Sequence, residues 1–273
     1  PPVLAATTLA DTSHCNLPDG QVCVTPTGGT PPYSYNWNTV PAQTTACATG
    51  LTPGQYCVTI TDANGCTMSI CDNVPLAPGV VLTLSGQTNV TCFGACNGTA
   101  TVTASGGIGP YTYSWNTVPA QNTANATGLC AGTYTCTVTD ASGCIDTATV
   151  TITEPAQLVV TATNPAPICI GQCVTLSATI TGGTPAYTTT WTPAGPTVCP
   201  TITTVYTVNV TDANGCTATP QAVTVTVNDP LTVTAAVSPT PICIGSSATL
   251  TASGLGGSGT GYTYTWSPGN MNG

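Results

Sequence analysis

The chain has no lysine and no arginine in its 273 residues, nine acidic residues, and one histidine, His14. Without cationic side chains it cannot neutralise phosphate oxygens, so nucleic-acid binding and attachment to anionic lipid lose their electrostatic term. Lys or Arg salt bridges are excluded too, which leaves apolar burial, backbone ladders and covalent links to hold a fold. No apolar run approaches the roughly 20 residues of a membrane-spanning helix, so direct membrane insertion is not expected. A metal-type Cys-x-x-Cys pair is missing, and no Ser or Asp constellation surrounds His14, which reads as a solvated surface residue. No catalytic residue, metal or cofactor is expected, and the chain reads as a non-enzyme. It opens at Pro1-Pro2-Val3 without an initiator Met or a signal peptide, as expected of a mature or excerpted segment.

What is present points to β-structure. Hydrophobic residues make up 41% of the chain and alternate with Thr over many short runs. In Thr133-Tyr134-Thr135-Cys136-Thr137-Val138-Thr139, period two places Tyr134, Cys136 and Val138 on one face and Thr on the other. Equivalent runs group Tyr56, Val58 and Ile60, and Tyr206, Val208 and Val210. The 16 cysteines recur at fixed places and read as a disulfide framework, which persists in an oxidising, extracellular compartment.

Self-similarity sets the domain organisation. Trp37, Trp115, Trp191 and Trp266 fall roughly 75 to 78 residues apart, each closing a block led by Gly-Gly: GGTPPYSYNW, GGIGPYTYSW, GGTPAYTTTW and GGSGTGYTYTW. The first three are followed by TDANGC at 61–66, TDASGC at 139–144 and TDANGC at 211–216. An early cysteine precedes each Gly pair, at Cys15, Cys92, Cys169 and Cys243. The expected domains are 1–78, 79–155, 156–229 and an incomplete 230–273, the last completed either by residues past Gly273, the favoured reading, or by another subunit. Short Pro-bearing joints, such as Thr153-Glu154-Pro155-Ala156, predict an extended rod of immunoglobulin-like β-sandwiches.

The motifs GGTPPYSYNW with GQYCVTITDANGC, and GGIGPYTYSW with GTYTCTVTDASGC, resemble the SprB-type repeats of Bacteroidota surface adhesins. PAPICIGQCVTLSATITGG and PTPICIGSSATLTASG, with TTVYTVNVTDANGCTA, are similar to the PKD-like or immunoglobulin-like repeats of the same giant proteins. The likeness covers essentially the whole chain. It implies a secreted or bacterial cell-surface protein used in adhesion, gliding or matrix formation. The absence of Lys and Arg departs from that pattern, as do the additional cysteines; both favour a toughened, filamentous variant that self-associates and lacks trypsin-type cleavage sites.

Because early and hairpin cysteines recur together, the expected cystines are Cys15–Cys66, Cys92–Cys144 and Cys169–Cys216, each closing a loop of about 50 residues, with Cys173–Cys199 by elimination. The pairing of Cys23, Cys47, Cys57 and Cys71 stays open. So does that of Cys96 with either Cys130 or Cys136, which leaves one thiol over. Asp62, Asp140 and Asp212 read as turn caps, since one carboxylate per turn falls short of the six to eight oxygens of a calcium site. Tyr33, Tyr35 and Trp37 with their equivalents read as core rather than as a sugar-stacking platform. Covalent glycans are expected on Thr-rich faces: Asn89, Asn97, Asn125 and Asn209 lie in N-x-S/T sites. Asp146-Thr147-Ala148 resembles a Bacteroidota O-glycosylation signal centred on Thr147, and Thr12 sits in a poorer match.

Overall fold

The computed structural model describes residues 2–259 and 261–267; Thr260 and residues 268–273, which belong to the block expected at 230–273, lie outside the described residues. The fold is all-β. The chain divides into two compact units, Pro1–Val90 with Gly94–Thr153, and Thr91–Phe93 with Glu154–Gly273.

In the first unit, residues 1–78 form β1 (Ala5–Ala10), β2 (Ser13–His14), β3 (Gly20–Thr27), β4 (Ser34–Trp37), β5 (Cys47–Leu51), β6 (Gly54–Thr61), β7 (Thr67–Val74) and β8 (Leu76–Ala77). Two antiparallel sheets, ordered β1-β3-β5 and β4-β6-β7, make the two layers of an immunoglobulin-like sandwich. The short β2 pairs in parallel with β8. Residues 79–153 repeat the plan with β9 (Val80–Thr88), β10 (Gly98–Gly106), β11 (Thr112–Trp115), β12 (Asn125–Leu129), β13 (Gly132–Thr139) and β14 (Ile145–Ile152), in sheets β12-β10-β9 and β11-β13-β14. Each layer presents alternate residues inward. Val58 and Ile60 of β6 are buried with Trp37, Val22 and Leu51, and Cys136 and Val138 of β13 are buried with Trp115, Val102 and Leu129. Each tryptophan also satisfies its one polar atom. Trp37 Nε1 donates to Thr45 O and Trp115 Nε1 to Thr123 O, both at 2.9 Å.

The second unit holds β15 (Val159–Ala162), β16 (Ile168–Cys169), β17 (Val174–Thr175), β18 (Ala178–Thr181), β19 (Thr188–Thr192), β20 (Thr197–Val198), β21 (Thr204–Thr211), β22 (Gln221–Val225) and β23 (Val227–Asn228). Its largest sheet is ordered β19-β21-β22, with Tyr206, Val208 and Val210 buried from β21. Trp191 is only half-buried here, packed against both apolar clusters of the block. Beyond it, β24 (Thr232–Ser238) and β25 (Thr249–Leu255) pair as a hairpin. The repeated tryptophan is not core in this hairpin: Trp266 is 51% exposed, against 1% for Trp37 and Trp115. Among the described residues no second layer covers the hairpin, so Val233 and Leu250 also stay in solvent.

The Gly pairs have a conformational cause. Both residues of each pair take positive φ, 67° and 60° at Gly28 and Gly29 and 70° and 61° at Gly182 and Gly183. A Cβ at Gly28 would overlap the Val3 carbonyl. The pair bends the chain back to the start of its block, where Gly29 N donates to Pro2 O at 2.9 Å and Gly183 N to Ala156 O at 2.8 Å.

Candidate functional site

Three hairpin turns of one geometry join β6 to β7, β13 to β14, and β21 to β22. In the first, one carboxylate oxygen of Asp62 accepts from Asn64 N and Cys66 N, both at 2.9 Å, while the other accepts from Thr30 N at 3.0 Å. Asp140 repeats this with Ser142, Cys144 and Ile108, and Asp212 with Asn214, Cys216 and Thr184. Gly65, Gly143 and Gly215 take φ of 80°, 83° and 82° in these turns. Both oxygens of each carboxylate are thus engaged by N–H donors, and each hairpin is fastened to the segment after its Gly pair. This reach across about 30 residues was not visible in the turn motif.

These donors favour the ionised carboxylate. The Cys66 N–H foremost holds Asp62 below the usual carboxyl range; Ile108 N–H leads at Asp140 and Thr184 N–H at Asp212. A carboxyl whose folded pKa is depressed stabilises the fold fully above its unfolded value of about 3.9, and that contribution is lost as pH falls through the folded pKa. The thermal midpoint is therefore expected to hold from neutral pH down to about 4 and to decline below it. Replacing all three by Asn should flatten that acid-side decline.

The ends of each sandwich decide which cysteines meet. The Gly pair and the Asp hairpin share the leading end, near the first residues of the block. The early cysteine lies at the other, trailing end: Ser13 N donates to Pro75 O at 2.9 Å, Val90 N to Thr153 O at 3.0 Å, and β16, which ends at Cys169, pairs with β23. In the first block the eight residues of β6 and of β7 separate these ends by about 27 Å at roughly 3.4 Å per residue. A cystine spans only about 4.4–6.8 Å between Cα atoms.

The expected pairs Cys15–Cys66, Cys92–Cys144 and Cys169–Cys216 are therefore replaced. In the first unit Cys15 bonds Cys144, with Cα atoms 5.7 Å apart. In the second unit Cys92 bonds Cys216, also at 5.7 Å. In both cystines the early cysteine of one block takes the hairpin cysteine of the next. Cys66 and Cys169, assigned to cystines from the sequence, are exposed thiols, as is Cys243.

The remaining cystines each lie within a single block. Cys23–Cys47 and Cys57–Cys71 join residues directly opposite in the ladder, Cα atoms 4.0 Å apart. Cys96 pairs with Cys130 and Cys173 with Cys199. Cys136 stays a buried thiol at the position Val58 holds in the first block, and burial pushes its pKa up.

His14 is half-buried at the surface and tied to Asp19. Its Nδ1 lies 2.8 Å from Asp19 Oδ2, and its backbone N–H donates to Asp19 Oδ1 at 2.9 Å. Among the glycosylation candidates Thr147, Asn89, Asn97 and Asn125 are exposed, while Thr12 and Asn209 are half-buried. Asn89 Oδ1 accepts from Thr153 N and Asn125 Oδ1 from Thr101 Oγ1.

The SprB repeat family matches at residues 13–42 and 84–120, each stretch running from the early-cysteine region past the buried tryptophan. The first two blocks carry SprB repeats. The two segments make up less than half of the chain. SprB repeats together with several cystines mark an extracellular, adhesin-like repeat protein.

Among curated proteins no relative matches. Among solved structures the chain is similar to the three N-terminal domains of the highly immunogenic outer capsid protein of bacteriophage RB49, at 13% identity over 82% of this chain and 99% of that one, with a TM-score of 0.41. It is also similar to the N-terminal eight immunoglobulin domains of Down syndrome cell adhesion molecule, at 13% identity over 94% and 45% of the two chains and a TM-score of 0.30. A third likeness is to the C-terminal fragment of intimin, solved with its receptor domain, at 18% identity over 57% and 66% and a TM-score of 0.28.

Proposed function

We propose that this chain is a structural repeat segment of an extracellular surface adhesin or filament, with no enzymatic role, in which successive SprB and immunoglobulin-like blocks are chained by cystines that resist extension. The observation that carries this reading is the Cys15–Cys144 cystine, which ties the trailing end of one block to the leading hairpin of the next. The loops closed by Cys15–Cys144 and Cys92–Cys216 overlap in sequence, so tension on the backbone meets covalent bonds before the enclosed strands can peel apart. The absence of Lys and Arg supports the same role by removing trypsin-type cleavage sites.

Burial of Trp37 and Trp115 weighs against a sugar-stacking platform at those positions. Single-molecule pulling by the two termini tests the tensile reading. The 129-residue span between Cys15 and Cys144 is about 440 Å of extended chain, and reduction is expected to add at least that much to the contour length released. Equal lengths in the oxidised and reduced states would remove the tensile role.

Covalent glycans belong to this proposal because the chain has only nine acidic residues, three of them, Asp62, Asp140 and Asp212, buried, which leaves few charges to keep its surface solvated. Thr147, exposed on β14 after Asp146, is the leading acceptor. Material from the native source should carry hexose-type mass on the peptide containing Thr147; bare Thr147 and bare neighbouring Thr would strike glycans from the account.

A further inference from the structure

The second unit contains a cavity of about 370 Å³ beside the Cys92–Cys216 cystine, and the tensile role leaves it unused. That volume falls within the roughly 300–1,000 Å³ of small-molecule sites. One wall is Phe93, the single phenylalanine of the chain, 53% exposed. The segment that carries it is pinned: Cys92 is bonded to Cys216, and the Thr91 carbonyl accepts from Asn214 Nδ2 at 3.1 Å. Directly after it Gly94, at φ 72°, turns the chain away. Folding has already ordered this segment, so a ligand that stacks on the ring does not bear that entropy loss. In the other blocks the residue after the early cysteine is Asn16, Ile170 or Ile244, none of them aromatic.

The polar lining has unspent capacity. Gln157, Thr217 and Thr219 line the cavity and are exposed, and among the described residues their side chains make no hydrogen bond. They offer one amide and two hydroxyls, each able to donate and to accept. Asp212, also at the cavity, accepts from Thr184 N at 2.8 Å through Oδ2, and that oxygen keeps a second lone pair. Charge narrows the class of ligand. The N–H donors around Asp212, Thr184 foremost, keep its carboxyl ionised, and the chain has no Lys or Arg to hold an anion beside it. An anionic ligand is therefore repelled, while a purely apolar one would leave Gln157, Thr217 and Thr219 desolvated without partners. A neutral molecule with a C–H face for the ring and several hydroxyls for the polar lining satisfies both conditions, and a hexopyranose has that form.

We infer that this cavity binds one neutral hexopyranose residue of a glycan, with the C–H face of the sugar stacked on Phe93 and its hydroxyls bonded to Gln157, Thr217, Thr219 and Asp212 Oδ2. Binding here adds a ligand to the structural role and does not depend on it. The buried Trp37 and Trp115 take no part, and the one aromatic involved lies outside the recurring Gly-Gly to Trp motif.

The test uses the whole chain, free of glycans and with its cystines formed, in saturation-transfer NMR with the methyl glycosides of glucose, galactose, mannose and N-acetylglucosamine as probes. At least one of these should receive saturation at its ring protons, and glucuronic acid should receive none. Phe93→Ala should weaken binding of that sugar by about tenfold or more, and Phe93→Tyr should retain it. Neither should move the thermal midpoint, because the ring is 53% exposed. Thr217→Val, which removes one hydroxyl at nearly constant shape, should weaken binding by about three- to tenfold. Material carrying its own glycans should bind the probe as well as the bare chain does if the sugar belongs to another surface, and more weakly if a glycan of the chain itself fills the cavity. No saturation of any of these glycosides, binding that survives Phe93→Ala, or equal binding of glucuronic acid would each overturn the inference. The pulling experiment contains no sugar, so the tensile reading and the sugar site can fail separately.

Discussion

Replacing Cys15 by Ser together with Cys144 by Ala is expected to lower the unfolding free energy of the first unit by about 4–5 kcal/mol, the value the chain-entropy treatment gives for a loop of this size. The loop spans 129 residues, far more than the 14 closed by Cys57–Cys71, so its loss frees the most denatured-chain entropy. Ala is used at 144 because that side chain is 3% exposed within the core of the second block, where a serine hydroxyl would need a partner. Cys15 itself packs against that core, so the double variant should also loosen the junction between the two blocks. The control is Cys66→Ser, which removes an exposed thiol and should stay within about 0.5 kcal/mol of the unaltered protein. Guanidinium titration of the oxidised proteins makes the comparison. If Cys66→Ser cost as much as the double variant, a cystine within the first block would be indicated instead.

Trp115→Ala should destabilise the second block by about 3–5 kcal/mol, the usual cost of deleting a large aromatic from a packed core. Trp115 is 1% exposed among Val102, Leu129 and Val138, and its truncation also strands the Thr123 carbonyl that its Nε1 bonds at 2.9 Å. Trp266→Ala should change the same titration by no more than about 0.5 kcal/mol, since that ring is half in solvent. The two substitutions alter the same recurring motif residue, so the contrast isolates burial as the cause. A comparable cost at both positions would mean that the fourth block buries its tryptophan.

Much of the fold was legible because strand alternation and turn chemistry are local. Tyr134, Cys136 and Val138 announce an inward face through period two, and the Asp-x-x-Gly turns announce hairpins. Even the Cys57–Cys71 staple is implicit in that hairpin, because both residues lie the same distance from its turn. The one-residue offset between Cys57 and Cys136 also has meaning: relative to the shared Tyr, the first points out and bonds across the ladder, while the second points in and stays a thiol.

The long-range cystines were not legible, since recurrence tells which cysteines belong together as a class and not which end of a sandwich each occupies. Two residues that always appear in the same block invite pairing within it. The parallel contact of β2 with β8 places Cys15 beside the chain's exit from the block, and only that three-dimensional fact turns the pairing outward. Thr30, Ile108 and Thr184 as donors to the three aspartates escaped for the same reason, being brought to the hairpin by the fold of the Gly pair.

Disulfide mapping of the oxidised monomer tests the central claim most directly. With no Lys or Arg available to trypsin, cleavage by chymotrypsin and pepsin followed by mass spectrometry should recover peptides linking Cys15 to Cys144 and Cys92 to Cys216. Recovery of Cys15–Cys66 and Cys92–Cys144 peptides instead would show that every block is closed on itself and that no covalent stagger joins them.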